Sequence, residues 1–369
     1  MNGIKTASRQ EASVKSLFKE SPDRSSFGPI GFISPVSAGR LKGLIGYVGD
    51  GEGQNGRIAP IENYEHARFI GDVVREGISR LSEGGNTRLS IRTIVRDDAL
   101  GIASEEAQAT GATVEAVLQS GTGYSIMYIG YNLESRSLGA EHQGRHRELI
   151  NAAVEAGQAQ SALADLASDI NANAHRYSTV IIGDGFRSFT DLEREQIHEL
   201  LSAFGYDREG ADSVIGNPNN IIGLVYESSG SGRSIVGISV TETRSIAMEN
   251  GGALHIAELT DGIIAGEAAG HSLYSRLLSD VYRHIAENRP EISIIYAESN
   301  VASRGILRAA ALQGRTFGGV LPNHAMISNR EGRPELKSLV VTSLTREQAL
   351  ASVARLDEAC EELQQAIRS

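Results

Sequence analysis

The chain has a single cysteine, Cys360, in 369 residues. That excludes a disulfide framework and a cysteine-rich metal site, and it fits a reducing cytoplasm. Basic side chains are in deficit: 35 Lys and Arg face 46 Asp and Glu, for a net charge of −11. Nucleic acid and anionic membrane are therefore not expected as main partners. No apolar run approaches the roughly 18 residues of a membrane span, and the first residues lack the basic-then-apolar order of a secretion signal. The nine histidines show no metal-ligand spacing, and no Ser/His/Asp order stands out, so no metal is expected. The expectation is a soluble cytoplasmic protein whose oligomeric state is open.

What is present is an ordinary globular composition, 40% hydrophobic and 22% charged, with length enough for two domains. Residues 1–27 are polar and rich in Ser, Lys and Glu, which reads as a mobile arm. The stretch GLIGYVGDGEGQNGRIAPI reads as a hairpin turning between Asp50-Gly51 and Asn55-Gly56. A helix over 64–82 stops at Gly84-Gly85, followed by strand 88–95, helix 98–109 and strands 113–119 and 124–133. Residues 136–176 read as a helical connector. Beyond it come strand STVIIGDGF and helix 191–204, with Thr190 and Glu193 as a capping box and Gly205 as its stop. Two strands, IIGLVYES and RSIVGISVTET, lead to the stretch ALHIAELTDGIIAGEAAGHSLYSRLL at 253–278. Strand 291–298, helix 302–313, strands 317–323 and 336–344 and a helix over 345–368 complete the chain.

The stretch 253–278 reads as a strand with Glu258 and Asp261 at its end, then a loop of small residues opening a helix. Such a loop lets a backbone approach a large ligand, and the helix N-terminus directs amides at an anion. The halves of the chain overlay without a gap at an offset of 203 residues, the same strand and helix order recurring at the same spacing. Gly270, His271 and Ser272 then fall on Ala67, Arg68 and Phe69. A ligand-binding loop is expected in the second copy alone.

Glu267-Ala268-Ala269-Gly270-His271-Ser272 resembles the Gln/Arg-x-x-Gly-x-Gly/Ala cofactor loop of the GNAT superfamily of acyl-CoA-dependent N-acetyltransferases, departing at the first and last positions. Glu258-Leu259-Thr260-Asp261 before that loop, GISVTE ending in Glu242, and TFGGVLPNHAMI at 316–327 are more specifically similar to the β-lysine N-acetyltransferase type. The resemblance implies an α/β fold of two GNAT-like domains, each a mixed, centrally splayed sheet flanked by helices, the N-terminal copy truncated. It divides the chain into an arm (1–27), a degenerate domain (28–135), the connector (136–176), a catalytic domain (177–345) and a C-terminal helix (346–369). The degenerate copy would shape the cleft. It implies acetyl-CoA, or another acyl-CoA, as cofactor, with its pantetheine arm on Ile263, Ile264 and Ala265. The pyrophosphate would lie on the amides of Ala269, Gly270, His271, Ser272 and Leu273, and Asn300 and Ser303 would meet the far side of the pantetheine.

Acetylating an amine requires removal of a proton from an ammonium group and return of one to the departing thiolate. Glu258 and Asp261 are the first candidates for the former, with Glu298 and Glu242 on neighbouring strands behind them. Four acids at one sheet end are costly unless a cation pairs with them, which favours a cationic amine as substrate. Tyr296, Asn323 and His324 are expected at the substrate side. The tyrosine that protonates the thiolate in many GNAT enzymes would stand at 310, where this chain has Ala310; Tyr296 or a water would substitute for it. With no available cysteine, the amine would attack directly. The expected activity is N-acetylation of a small cationic amine, an amino acid or a metabolite derived from one. The alternatives are transfer from a longer acyl-CoA or a carrier-protein thioester, and a non-catalytic sensor or scaffold.

Overall fold

A computed structural model of the chain describes residues 33–35, 45–48, 57–61, 67–68, 70–83, 88–132, 140–183, 189–203, 206–229, 232–248, 252–328 and 334–368. The N-terminal arm, the Asp50–Gly56 turn, and the Gly84-Gly85 and Gly205 helix stops lie outside these residues. The described residues divide into two compact units. The first takes the chain up to Glu115 together with Tyr124–Arg136, and the second takes Ala116–Gly123 and Ser137 onward.

In the first unit, strands β1 (Ile33–Pro35), β2 (Ile45–Val48) and β3 (Arg57–Ile61) precede the helix Ile70–Glu83 and strand β4 (Arg88–Arg96). Helix Leu100–Gln108, strand β5 (Thr113–Gln119), whose residues from Ala116 onward count with the second unit, and strand β6 (Tyr124–Asn132) follow. One edge of β4 is paired in succession by two parallel strands, β2 along Arg88–Ile91 and β3 from Arg92 to Val95. Its other edge pairs with antiparallel β6. Arg88 and Glu115 form a buried ion pair at 2.5 Å, and the carboxylate lies across Gly130, 2.0 Å from where a Cβ would stand.

The second unit adds β7 (Tyr177–Ile182), β8 (Asn220–Ser229), β9 (Gly232–Ala247), β10 (Ala253–Ile264), β11 (Ile292–Asn300), β12 (Thr316–Ser328) and β13 (Pro334–Thr345). Their order across the sheet is β12-β13-β11-β10-β9-β8-β7, antiparallel throughout except for the parallel pair β10–β11. A parallel pair requires a crossover, and helix Leu273–Asn288 is that crossover. Its apolar positions Leu273, Leu277, Val281 and Ile285 recur at the period of one helical face. They pack on one side of the sheet, where Ala257, Leu259, Ile295 and Ala297 meet Leu278, Val281, Tyr282, Ala349 and Val353. Helix Asp191–Ser202, opened by the expected capping box, covers the opposite side through Ile197, Leu200 and Leu201 against Leu224, Ile238 and Val240.

The mixed, splayed α/β sheet flanked by helices is the expected fold class. Several local expectations are corrected. A helix at Arg208–Gly216, capped by the Asp207 side chain on the Gly210 amide, was not anticipated. Strand β10 continues to Ile264 because its pairing with β9 does, so Glu258 and Asp261 lie within the strand and not at its end. Strand β12 runs past Asn323 to Ser328. The helices of the expected connector, Ala140–Gln158 and Gln160–Asn173, pack inside the second unit, with Gly157 against Ala311 and Asn171 bonded to Cys360. Between the units, the offset of 203 carries helix Ile70–Glu83 onto the start of Leu273–Asn288 and β5 onto the start of β12. It fails at the last strand: β13 begins at Pro334, beyond the Ile327 that the offset assigns to it.

Removing one member of a buried ion pair leaves the other desolvated and uncompensated. Glu115→Ala is expected to destabilise the first unit by about 3–5 kcal/mol, as measured by urea unfolding. An unchanged midpoint would show that Arg88 finds another acceptor.

Candidate active site

Strands β10 and β11 stay in register from Ile256↔Ile294 to Leu259↔Ala297 and then part. Beyond that point β10 remains with β9 and β11 with β13, which leaves a split between two parallel neighbours. Where they part, β10 carries a bulge: Leu259 faces Thr241 and Asp261 faces Val240, with Thr260 extra. Side chains alternate along a strand, so Asp261 without the bulge would lie on the opposite face from Glu258. The inserted residue brings both to one face. Glu242 and Tyr296, the direct cross-strand neighbours of Glu258, share it, as does Glu298, two residues past Tyr296.

The predicted acids thus converge, each with its own partner. Glu258 is 8% exposed and accepts a hydrogen bond from the Tyr296 hydroxyl at 2.6 Å. Arg244 bonds Glu242 and lies 3.9 Å from Glu258. Glu298 is 3.9 Å from Nε2 of His324. Asp261 accepts from the Tyr206 hydroxyl at 2.9 Å. Burial, which disfavours the carboxylate, pushes the Asp261 pKa up to about 6. The Tyr206 hydrogen bond opposes this rise, and the charges of Glu242 and Glu258 add to it. The same burial and the Asp261 charge hold the Tyr206 hydroxyl protonated, far above the usual phenol range.

Two expectations change. The cation demanded by the acidic cluster is in part supplied by Arg244, so the cluster alone does not require a cationic substrate. Tyr296 is fully buried and its hydroxyl is committed to Glu258, so it is neither open to a substrate nor placed to serve a thiolate. Arg244 was legible, since alternation puts it on the face of Glu242. Tyr206 was not, because it lies outside regular structure, just before helix Arg208–Gly216. Asn323 has φ 48° inside a register break between Leu321 and Ala325. That irregularity carries His324, 4% exposed, toward Glu298. Asn323 itself donates its amide to the Ser338 hydroxyl at 3.1 Å.

At the anion side, Gly270 has φ +93°, a conformation open to glycine and strained for other residues. Ser272, the residue before helix Leu273–Asn288, is left-handed at φ 52° and its side chain makes no capping bond. The amides of Gly270, His271, Ser272, Leu273 and Tyr274 donate to no described backbone carbonyl. They are the donors that a helix start offers to an anion. Ala269 does not join them, because its amide is spent on the Gly266 carbonyl. His271 stacks on Tyr177, ring centres 6.0 Å apart.

Ala265 donates its amide to Val236 of β9 at 2.8 Å, so it has none for a ligand. Successive residues of an antiparallel strand turn their main chain to opposite edges. Ile264 therefore presents its N–H and C=O to the edge that β11 has left, with Ile263 turned to β9. Across the split, Asn300 caps the Ala302 amide through its side chain at 2.9 Å. The Ser303 hydroxyl, before helix Arg304–Leu312, makes no capping bond. Ala310 is buried.

No protein-family model matches the chain, and neither does any curated protein sequence. Among solved structures the chain is similar to Arabidopsis thaliana NAA60 in complex with acetyl-CoA: 9% identity, 46% of this chain and 98% of that chain covered, TM-score 0.38. The ribosomal-protein-S18-alanine N-acetyltransferase of Escherichia coli is similar at 12% identity, covering 46% and 94%, TM-score 0.33. Spermidine N-acetyltransferase of Vibrio cholerae, in complex with CoA and spermine, is similar at 13%, covering 48% and 99%, TM-score 0.36. Among the described residues no group of His, Cys, Asp and Glu is arranged to hold a metal ion, and no helix is long and apolar enough to cross a membrane.

Because the Tyr206 hydrogen bond holds the Asp261 pKa down, Tyr206→Phe is expected to raise the titration midpoint of that carboxyl above about 6. Carbon-detected NMR of labelled aspartate reads this directly. A midpoint unmoved or lowered would refute the pairing.

Proposed function

We propose that the second unit is an acyl-CoA-dependent N-acyltransferase, acetylating a small amine by direct attack, and that the first unit is a degenerate copy of its fold. The observation that carries this reading is the coincidence of three features at one end of the parallel pair. These are the split beyond Leu259 and Ala297, the glycine turn with its helix start, and an aspartate whose affinity for a proton is raised. The residues present fit the cofactor. Ile264 offers main-chain groups along the split, Gly270 to Tyr274 offer amides to a diphosphate, and Ser303 offers a hydroxyl across from them.

When bound, an acyl-CoA supplies the acyl thioester. Asp261 then accepts the amine proton at its carboxylate, a role suited to a group with a pKa of about 6 near neutral pH. Glu258, buried and tied to Tyr296 and Arg244, orients and polarises the site. Glu298 with His324 borders the substrate side. A cytoplasmic location and a substrate of the amino-acid kind, as in the β-lysine N-acetyltransferase type, belong to this same reading. The bland alternative, a cofactor-binding sensor, is favoured by one observation: the buried Ala310 where a proton donor is expected.

Calorimetry with acetyl-CoA is expected to show binding by the wild type and at least a tenfold loss in Gly270→Leu, whose φ a leucine cannot adopt without strain. Mass spectrometry over a panel of amino acids and polyamines is expected to show transfer. Asp261→Asn should lower kcat by about 10²-fold or more while cofactor binding persists. In the wild type, kcat/KM should rise with pH through about 6 as Asp261 loses its proton. Absence of binding by the wild type would end the transferase reading, and an undiminished Asp261→Asn would end the assignment of the base.

A further inference from the structure

Resting on that reading, we propose that Tyr274 is the group that protonates the departing thiolate, in place of the tyrosine missing at Ala310. Tyr274 lies in the first turn of helix Leu273–Asn288, directly after the glycine turn. Its phenol end covers Gly262, and a Cβ there would stand 2.5 Å from the ring and 2.8 Å from the hydroxyl oxygen. Gly262 is the next residue after Asp261 and lies beyond the last β10–β11 pair, so the hydroxyl sits over the split itself. It reaches the strand from the crossover-helix side, the side of Leu259, Leu278 and Tyr282. Asp261 faces Tyr206 on the opposite side. The two groups flank the split from opposite faces, as one group taking a proton and another giving one require.

The surroundings suit a phenol that gives up its proton. The Tyr274 hydroxyl makes no hydrogen bond to any described residue. Arg315, 7% exposed, lies near it and has no carboxylate partner among the described residues. Its bonds go to the Tyr282 hydroxyl and, at 3.4 Å, to Thr342, and Tyr282 in turn bonds Gln313 at 3.0 Å. A buried guanidinium without a counter-ion stabilises any anion formed beside it. The charges bearing on Tyr274 are Arg315, which favours the phenolate, and Asp261, which opposes it; burial holds the resting phenol neutral.

The step balances. The amine nitrogen bonds the carbonyl carbon and loses one proton to Asp261. The carbon–sulfur bond breaks, the sulfur keeps the electron pair, and it receives the Tyr274 hydroxyl proton. The phenolate beside Arg315 then recovers a proton from water, and Asp261 releases its own.

Tyr274→Phe tests this with two thioesters and one binding measurement. With acetyl-CoA, kcat is expected to fall 10- to 100-fold with KM for acetyl-CoA unchanged. With the acetyl thioester of a more acidic thiol, which leaves without a proton, the defect should shrink to less than threefold. Independently of turnover, ultraviolet difference titration of bound CoA should place its thiol ionisation at higher pH in Tyr274→Phe, since the hydrogen bond to the thiolate is lost. Wild-type turnover with an equal defect on both thioesters, or with none, would overturn the assignment and leave the transferase reading standing. An unmoved thiol ionisation would overturn the assignment too. A wild type that binds acetyl-CoA and transfers to no amine, or does not bind it, would overturn both.

Discussion

One irregularity in one strand organises the second unit. Strand β10 gains an extra residue at Thr260, next to the last position at which it pairs with β11. A bulge twists and bends the strand that carries it, and here it coincides with the parting of two parallel neighbours. Its second effect is on side-chain phase. Before Thr260 the strand sends Glu258 to one face and Leu259 into the crossover-helix core; after it, Asp261 joins Glu258 and Gly262 turns to Tyr274. A single inserted residue thus opens the split, gathers the carboxylates on one face and leaves a bare glycine under a phenol on the other.

The energetics of the carboxylate face decide which acid is available. Three carboxylates within one cross-strand neighbourhood repel each other and lose solvent, both of which favour protonation. Arg244 pairs with Glu242 and lies 3.9 Å from Glu258, because β9 places it two residues after Glu242 on the same face. Asp261 lies beyond that guanidinium and has the hydroxyls of Tyr206 and Thr260. Desolvation therefore wins at Asp261, and the group poised near neutral pH is the acid at the mouth of the split. Glu258, the more buried of the two acids expected first from the sequence, is held in bonds to Tyr296 and lies by Arg244.

The regular elements were legible in the sequence because their periodicity is local. Helix Leu273–Asn288 repeats its apolar side chains at helical spacing, and Thr190 with Glu193 announces the helix they cap. Helix Arg208–Gly216 was missed although its Asp207 cap was readable, because nine residues hold too little periodicity to stand out. The loop at Gly270 was found through a six-residue pattern, and its positive φ gives that glycine a physical reason. The bulge could not be read. Nothing in ELTDG marks Thr260 as the extra residue, and the phase of Asp261 follows from pairing with β9, a strand far removed in sequence. Tyr274 was hidden for a related reason: its part depends on Gly262 standing beneath it.

The first unit separates the fold from the chemistry. At the offset of 203 residues its strand β4 falls on β11, and its helix Ile70–Glu83 on the crossover helix. There, however, β2 and β3 together pair the edge of β4 from Arg88 to Val95. The edge that is released past Ala297 in the second unit is occupied in the first. Ala67, on which Gly270 falls at that offset, is helical and fully buried, whereas Gly270 stands in an exposed turn. A filled edge has no main-chain groups left for an extended ligand. The same order of elements thus leaves an open split beside a glycine turn in one unit and a filled edge in the other, and a shared order of elements does not by itself carry a function.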